Sequence, residues 1–101
     1  MTQTSTAISV APQCFRLGSV VATRGVYELI QQGRIHYMTY LRRHMRGDWG
    51  DMCPEDRKIN NAGVMRGGRL MSSYEIDSGL TLWIITEGDR SVTTLLLPSE
   101  Y

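Results

Sequence analysis

Between His44 and Asp51 the chain reads HMRGDWGD, placing an imidazole, two carboxylates and an indole within eight residues. Histidine titrates near neutral pH, so beside a carboxylate it can serve as a general base or as a charge-sensitive contact. Asp48 can pair with His44 or turn back onto its own backbone. Trp49, in the turn bounded by Gly47 and Gly50, reads as a core plug or as an exposed binding anchor. A second polar segment, TEGDRSVTT, runs from Thr86 to Thr94 and crowds Glu87, Asp89 and Arg90 at one turn. Arg90 can offer a bidentate fork to a carboxylate or phosphate; the plainer reading is a surface ion pair worth under about 1 kcal/mol. Arg42, Arg43 and Arg46 form a third group, either a solvated helix face or a phosphate contact. The candidate binding residues are therefore His44, Asp48, Trp49, Asp51, Glu87, Asp89 and Arg90, with Arg42, Arg43 and Arg46. No residue is assigned as catalytic, no metal site is expected and no cofactor is implied.

The elements that must carry these residues follow from periodicity. Thr23 reads as an N-cap for a helix over 24–32, where Val26, Leu29 and Ile30 recur on one face and Gly33 is the stop. A second helix is expected over 35–46, with Ile35, Met38, Leu41 and Met45 inward and the arginines outward. At its C-terminal end the dipole favours a protonated His44. Gly47 ends it, and 47–53 is a loop. Pro54 at the first helical position, with Glu55 and Asp56 behind it, opens a third helix that runs to Arg66 and stops at Gly67-Gly68. Three strands follow, over 69–76, 80–86 and 91–97, joined by turns at Asp77-Ser78-Gly79 and Glu87-Gly88-Asp89. The second of these is apolar on both faces and should be central. Pro98 ends the third. Residues 15–22 can add a short strand.

Helices followed by a run of strands imply an α+β fold, with helices packed on one face of a small antiparallel sheet and a C-terminal three-stranded meander. The domain should span 15–101, behind a poorly ordered tail over 1–14. Trp83, Ile85, Met71, Leu95 and Leu97 are expected on the second sheet face, an apolar surface suited to a homodimer or other partner.

At 101 residues there is room for one core. A net charge of +1 gives no bulk attraction to nucleic acid or an anionic membrane and rules out a strongly acidic DNA mimic. The charge is uneven: residues 1–50 carry six arginines against two acids, and 51–101 carry five basic residues against eight acids. The two cysteines, Cys14 and Cys53, have neither metal-ligand spacing nor the density of a disulfide framework, which fits a reducing, cytoplasmic setting. The N-terminus lacks the pattern of a signal peptide, and no apolar run reaches membrane-span length. Phosphate-loop, dinucleotide, HExxH and Ser/His/Asp motifs are absent.

The segments RHMRGDWGD, GGRLMSSYEI and LWIITEGDRSVTTLLLPSEY, with Leu17–Thr23 ahead of them, resemble a family of short bacterial proteins of plasmids, integrative elements and phage-like regions. The matching positions are His44, Gly47, Asp48, Trp49, Gly50, Arg69, Ser72, Tyr74, Trp83, Glu87, Asp89 and Arg90. The resemblance implies a genomic setting more than a mechanism. In that setting the leading expectation is a non-enzymatic accessory protein that binds another protein, such as a host nuclease or effector complex, as an anti-CRISPR or anti-restriction inhibitor. Two alternatives are a small hydrolase or transferase for a nucleotide or phosphate substrate, using His44, Asp48, Glu87, Asp89 and Arg90, and a nucleic-acid-binding regulator using its basic helix.

Overall fold

Three helices precede a strand run in the computed structural model, which describes residues 14–101; the expected tail lies outside these except for Cys14. Helix α1 spans Arg24–Gln31. Its N-cap is Thr23, whose hydroxyl accepts from the Val26 N–H at 3.5 Å, as the sequence suggests. A second group reinforces that cap from the far end of the chain. The Glu100 carboxylate accepts from the Gly25 N–H at 2.9 Å and hydrogen-bonds the Thr23 hydroxyl.

Helix α2 spans Tyr37–Met45, starting two residues later than periodicity suggests. Ile35 is buried ahead of it and Leu41 within it, but Met38 is exposed. Met38 lies three residues before Leu41, on the inward stripe, yet lines a surface cleft. Helix α3 spans Pro54–Arg66, with Pro54 in its first turn and a left-handed Gly67 at its end, as expected.

The sheet has the order β1-β4-β3-β2, with β1 Ser19–Ala22, β2 Leu70–Asp77, β3 Leu80–Thr86 and β4 Val92–Leu96. The meander β2-β3-β4 is antiparallel. The N-terminal strand joins β4 in parallel, so the four-stranded sheet is mixed. A 3-10 turn over Pro98–Glu100 ends the chain.

One face of the sheet meets the helices. Tyr74, Leu82, Ile84 and Leu95 pack there with Val26, Ile35 and Leu41. A smaller cluster of Phe15, Trp49 and Leu70 adjoins them, with Val64 of α3 against it. The second face differs from expectation. Register sets Leu96 opposite Trp83 and Leu95 opposite Ile84, so Leu95 is a core residue at 1% exposure. Leu97 also leans on the core cluster. Ile85 and Leu96 are buried, and Trp83 takes Tyr101 edge-on at 5.6 Å.

The outer edge of β2 is covered at Met71 and Ser73. Ser73 pairs with the 49–51 loop, donating to the Trp49 carbonyl at 3.0 Å and accepting from the Asp51 N–H at 2.7 Å. The Asn60 side chain closes the next position, donating to the Met71 carbonyl at 2.7 Å and accepting its N–H at 3.2 Å. Cys14 and Cys53 are free and exposed. Among the described residues, no helix is long and apolar enough to cross a membrane.

Candidate functional site

His44 sits in the last turn of α2, on the side that faces the sheet, and has no solvent exposure. Phe15 and Trp49 flank its ring edge-to-face at 5.2 and 5.5 Å. Its Nδ1 lies 2.5 Å from the Ser72 hydroxyl of β2, and its Nε2 lies 2.9 Å from the Thr86 hydroxyl of β3. Thr86 continues to Thr93 of β4 at 2.7 Å, and Thr93 ends on the Leu17 carbonyl at 2.7 Å.

The last link fixes every proton in the chain. A carbonyl can only accept, so Thr93 donates to Leu17. Thr93 must then accept from Thr86, and Thr86 must accept from Nε2. His44 is therefore the Nε2–H tautomer, with Nδ1 accepting from Ser72. Each ring nitrogen is satisfied in the neutral state. Burial pushes the His44 pKa down to about 3, and the Arg90 charge adds to the effect. This reverses the protonated histidine expected from the helix dipole, because desolvation outweighs a favourable terminus.

The rest of HMRGDWGD builds the wall around this ring. Gly50 holds φ +72° beside the Ser73 carbonyl; a Cβ there would lie 2.1 Å from that oxygen, so only glycine fits. The turn delivers Trp49 into the core at 3% exposure, stacked on Phe15, with its Nε1–H donating to the Asn61 Oδ1 at 2.9 Å. Trp49 is thus a core plug and not an exposed anchor. Asp48 faces away from His44. It takes a two-pronged pair from Arg43, at 2.7 and 3.2 Å, which lowers its pKa and raises that of Arg43. The Arg43 guanidinium also lies 4.6 Å over the Tyr74 ring, whereas Arg42 and Arg46 of the basic helix face make no ion pair within 4.0 Å among the described residues.

Arg90 does not offer a fork to a ligand. It holds φ 61°, and its guanidinium donates to the carbonyls of Gly63 at 2.8 Å, Gly68 at 2.7 Å, Glu87 at 3.2 Å and Gly88 at 3.4 Å. It ties the end of α3 to the β3–β4 turn, and it stands 5.7 Å over the Phe15 ring. Asp89 accepts from the Ser91 N–H within its own turn at 3.0 Å, and the Ser91 hydroxyl further lowers its pKa. Glu87 pairs with Arg69 at 3.8 Å.

The two polar segments do meet, but through the core. His44 touches Thr86, while Asp48, Glu87 and Asp89 each turn to a different partner. A proton-transfer pair needs hydrogen-bond reach to a substrate. His44 has no exposed edge, and its nitrogens are occupied. Among the described residues, no three His, Cys, Asp or Glu side chains converge as metal ligands. The residues that sequence reasoning passed over are Ser72, Thr86 and Thr93, which reads as an ordinary strand residue. The signal was present: each occupies an inward position of a strand otherwise filled by aliphatic or aromatic side chains.

The outer rim of the GDWG turn forms an open cleft of about 390 Å³, lined by Gly47, Asp48, Trp49, Gly50, Pro54, Arg57, Lys58 and Asn61. Arg57 and Lys58 are exposed and make no ion pair among the described residues. Arg46 adds its charge near Asp48 on the same rim. Comparison with known proteins found no matching family model, no matching curated protein and no matching solved structure.

Proposed function

We propose that this chain acts by contact with another protein, through the charged end formed by the last turn of α2 and the first turns of α3. In the mobile-element setting its motifs resemble, the partner would be a subunit of a host defence complex, and the contact would inhibit it. The carrying observation is the division of polar groups. The reactive-looking residues His44 and Arg90 are committed to internal partners. Arg57 and Lys58 line the GDWG cleft, Arg46 lies near its Asp48, and Arg42 belongs to the last turn of α2; all four are exposed and make no ion pair within 4.0 Å among the described residues.

The same end carries exposed acids at Asp51, Glu55 and Asp56. Interleaved signs suit a protein surface of complementary pattern better than the uniform charge of a phosphate backbone. This favours a protein partner over the nucleic-acid reading.

The test is phage plating on a host with an active type I restriction or CRISPR system. Expression of the chain should raise plating. A charge reversal, R42E/R46E/R57E/K58E, should abolish the rise while leaving circular dichroism unchanged. No rise with either system, or a rise that survives the reversal, would overturn the reading.

A further inference from the structure

The two edges of the sheet are treated differently. That of β2 is covered over its first half, by the 49–51 loop at Ser73 and by Asn60 at Met71. That of β1 has no partner strand on its outer side among the described residues. Its Ser19 N–H donates to the Ser91 carbonyl at 3.0 Å, and the Thr23 N–H to the Leu95 carbonyl at 2.9 Å. Backbone groups alternate sides along a strand, so Ser19, Val21 and Thr23 face β4, and Val20 and Ala22 turn their N–H and C=O outwards. The strand, SVVA, is short, but it carries none of the charges, prolines or bulges that also blunt such an edge.

Beside this edge lies a cleft of about 480 Å³. Among the described residues, five of the eight exposed large hydrophobics line it: Val20 at 42%, Val21 at 46%, Tyr27 at 56%, Tyr37 at 38% and Met38 at 41% exposure. None of its lining residues is charged.

We propose that β1 pairs with β1 of a second copy of this chain, antiparallel about a twofold axis, giving one continuous sheet of eight strands. The register follows from which groups face out. Val20 pairs with Ala22 of the second copy, and Ala22 with Val20 of the second copy, each exchanging both N–H···O bonds. All outward groups of Val20 and Ala22 are then satisfied by four hydrogen bonds. Val21 meets its own image on the axis, in the closer, non-hydrogen-bonded position.

The absence of charge along this strip fits a second copy. In a twofold contact, groups near the axis meet their own images, so a charged strip would repel itself; this strip is uncharged, and Arg24 nearby is paired with Glu28 at 3.4 Å. A standard interface covers about 800 Å² per partner, or about an eighth of this chain's 6107 Å² surface. One short strand with the apolar residues beside it makes a small contact, and association is expected in the micromolar range. The contact is separate from the charged end proposed above, and its failure would leave that reading untouched.

The test combines mass with cross-linking. Sedimentation should move from the 11.4 kDa chain to twice that mass as concentration rises through the micromolar range. With Cys14 and Cys53 replaced by serine, V21C should oxidise to a covalent dimer, because facing residues at this position lie about 4.5 Å apart between Cα atoms. V20C, equally exposed, should not, since the two copies of position 20 are diagonal and more than about 7 Å apart. V20P removes one outward N–H from each copy while sparing the bonds to β4, and should weaken dimerisation about tenfold or more. A concentration-independent monomer would overturn the proposal. So would cross-linking at V20C as fast as at V21C, or a folded V20P that dimerises as the parent does. Exchange protection of the Val20 and Ala22 amides at monomeric mass would overturn it too, by placing something other than a second copy on the edge.

Discussion

Lowering the pH from 7 to 4.5 loads a proton onto His44 in the unfolded chain well before the folded chain can take one. The unfolded imidazole titrates near 6.5, and in the folded chain burial and Arg90 hold it at about 3. Above the unfolded value both states are neutral and the effect vanishes. Below it the unfolded state binds more protons, so stability falls with pH, by about 1.4 kcal/mol per unit. The loss is about 3 kcal/mol by pH 4.5 and about 4 kcal/mol once the folded value is reached, a large share of the 5–15 kcal/mol typical of a domain. Asp48, Asp89 and Glu100 have lowered values and lose their contributions only as pH falls through about 4. The interval from 6.5 to 4.5 therefore reports on His44. Urea melts followed by tryptophan fluorescence and far-ultraviolet dichroism should show the slope in the parent and in H36Q, and lose it in H44Q. If H44Q does not fold, imidazole ¹⁵N shifts of the parent should still show a neutral Nε2–H ring at pH 5. Stability flat from pH 7 to 4.5, or His44 protonated in the native state at pH 5, would refute the buried proton chain.

Three substitutions test the surrounding structure. R90A leaves the Gly63, Gly68, Glu87 and Gly88 carbonyls without their shared donor; it should cost about 2–3 kcal/mol, read as a lower urea midpoint at unchanged slope. W49F keeps the stacked ring but strands Asn61, and should cost about 1 kcal/mol or slightly more by the same measurement. N60A removes both hydrogen bonds to Met71; it should cost about 2 kcal/mol and speed amide exchange at Met71.

Much of the fold was legible because punctuation and period agree. Pro54 and Gly67 bound α3 as read, and the strongly apolar LTLWIIT is an interior strand. Two features were not legible. In SVTTLLL both faces carry leucine, so alternation cannot choose between Leu95 and Leu96; the hairpin geometry around the positive φ of Arg90 makes the choice. The parallel pairing of β1 with β4 joins residues over seventy positions apart, and no local pattern encodes it. The candidate site divides in the same way. Position drew attention to HMRGDWGD and TEGDR, but side-chain direction decided what each of their residues contacts. His44 and Arg90 read as surface chemistry because a helix end and a hairpin tip are usually wet. Here the segment from Cys14 to Gly18 and the GDWG turn cover them, with the Cys14 N–H on the Met45 carbonyl at 2.9 Å.

The buried proton chain has a consequence for how this small sheet finds its register. Leu70, Leu82, Ile84, Leu95 and Leu96 could satisfy burial in more than one alignment, since an aliphatic face discriminates weakly between slips. Ser72, Thr86 and Thr93 cannot. A one-residue slip of any of the three strands turns its hydroxyl to the opposite face and leaves a ring nitrogen or a hydroxyl buried without a partner, at about 1–3 kcal/mol each. One histidine from α2 thus selects the alignment of β2, β3 and β4 together. This gives the polar motif residues a structural reason to stand where they do, with no need for a substrate. It also directs the search for function away from them, to the charged rim of the GDWG cleft and the open edge of β1, where ordinary residue types leave groups available to a partner.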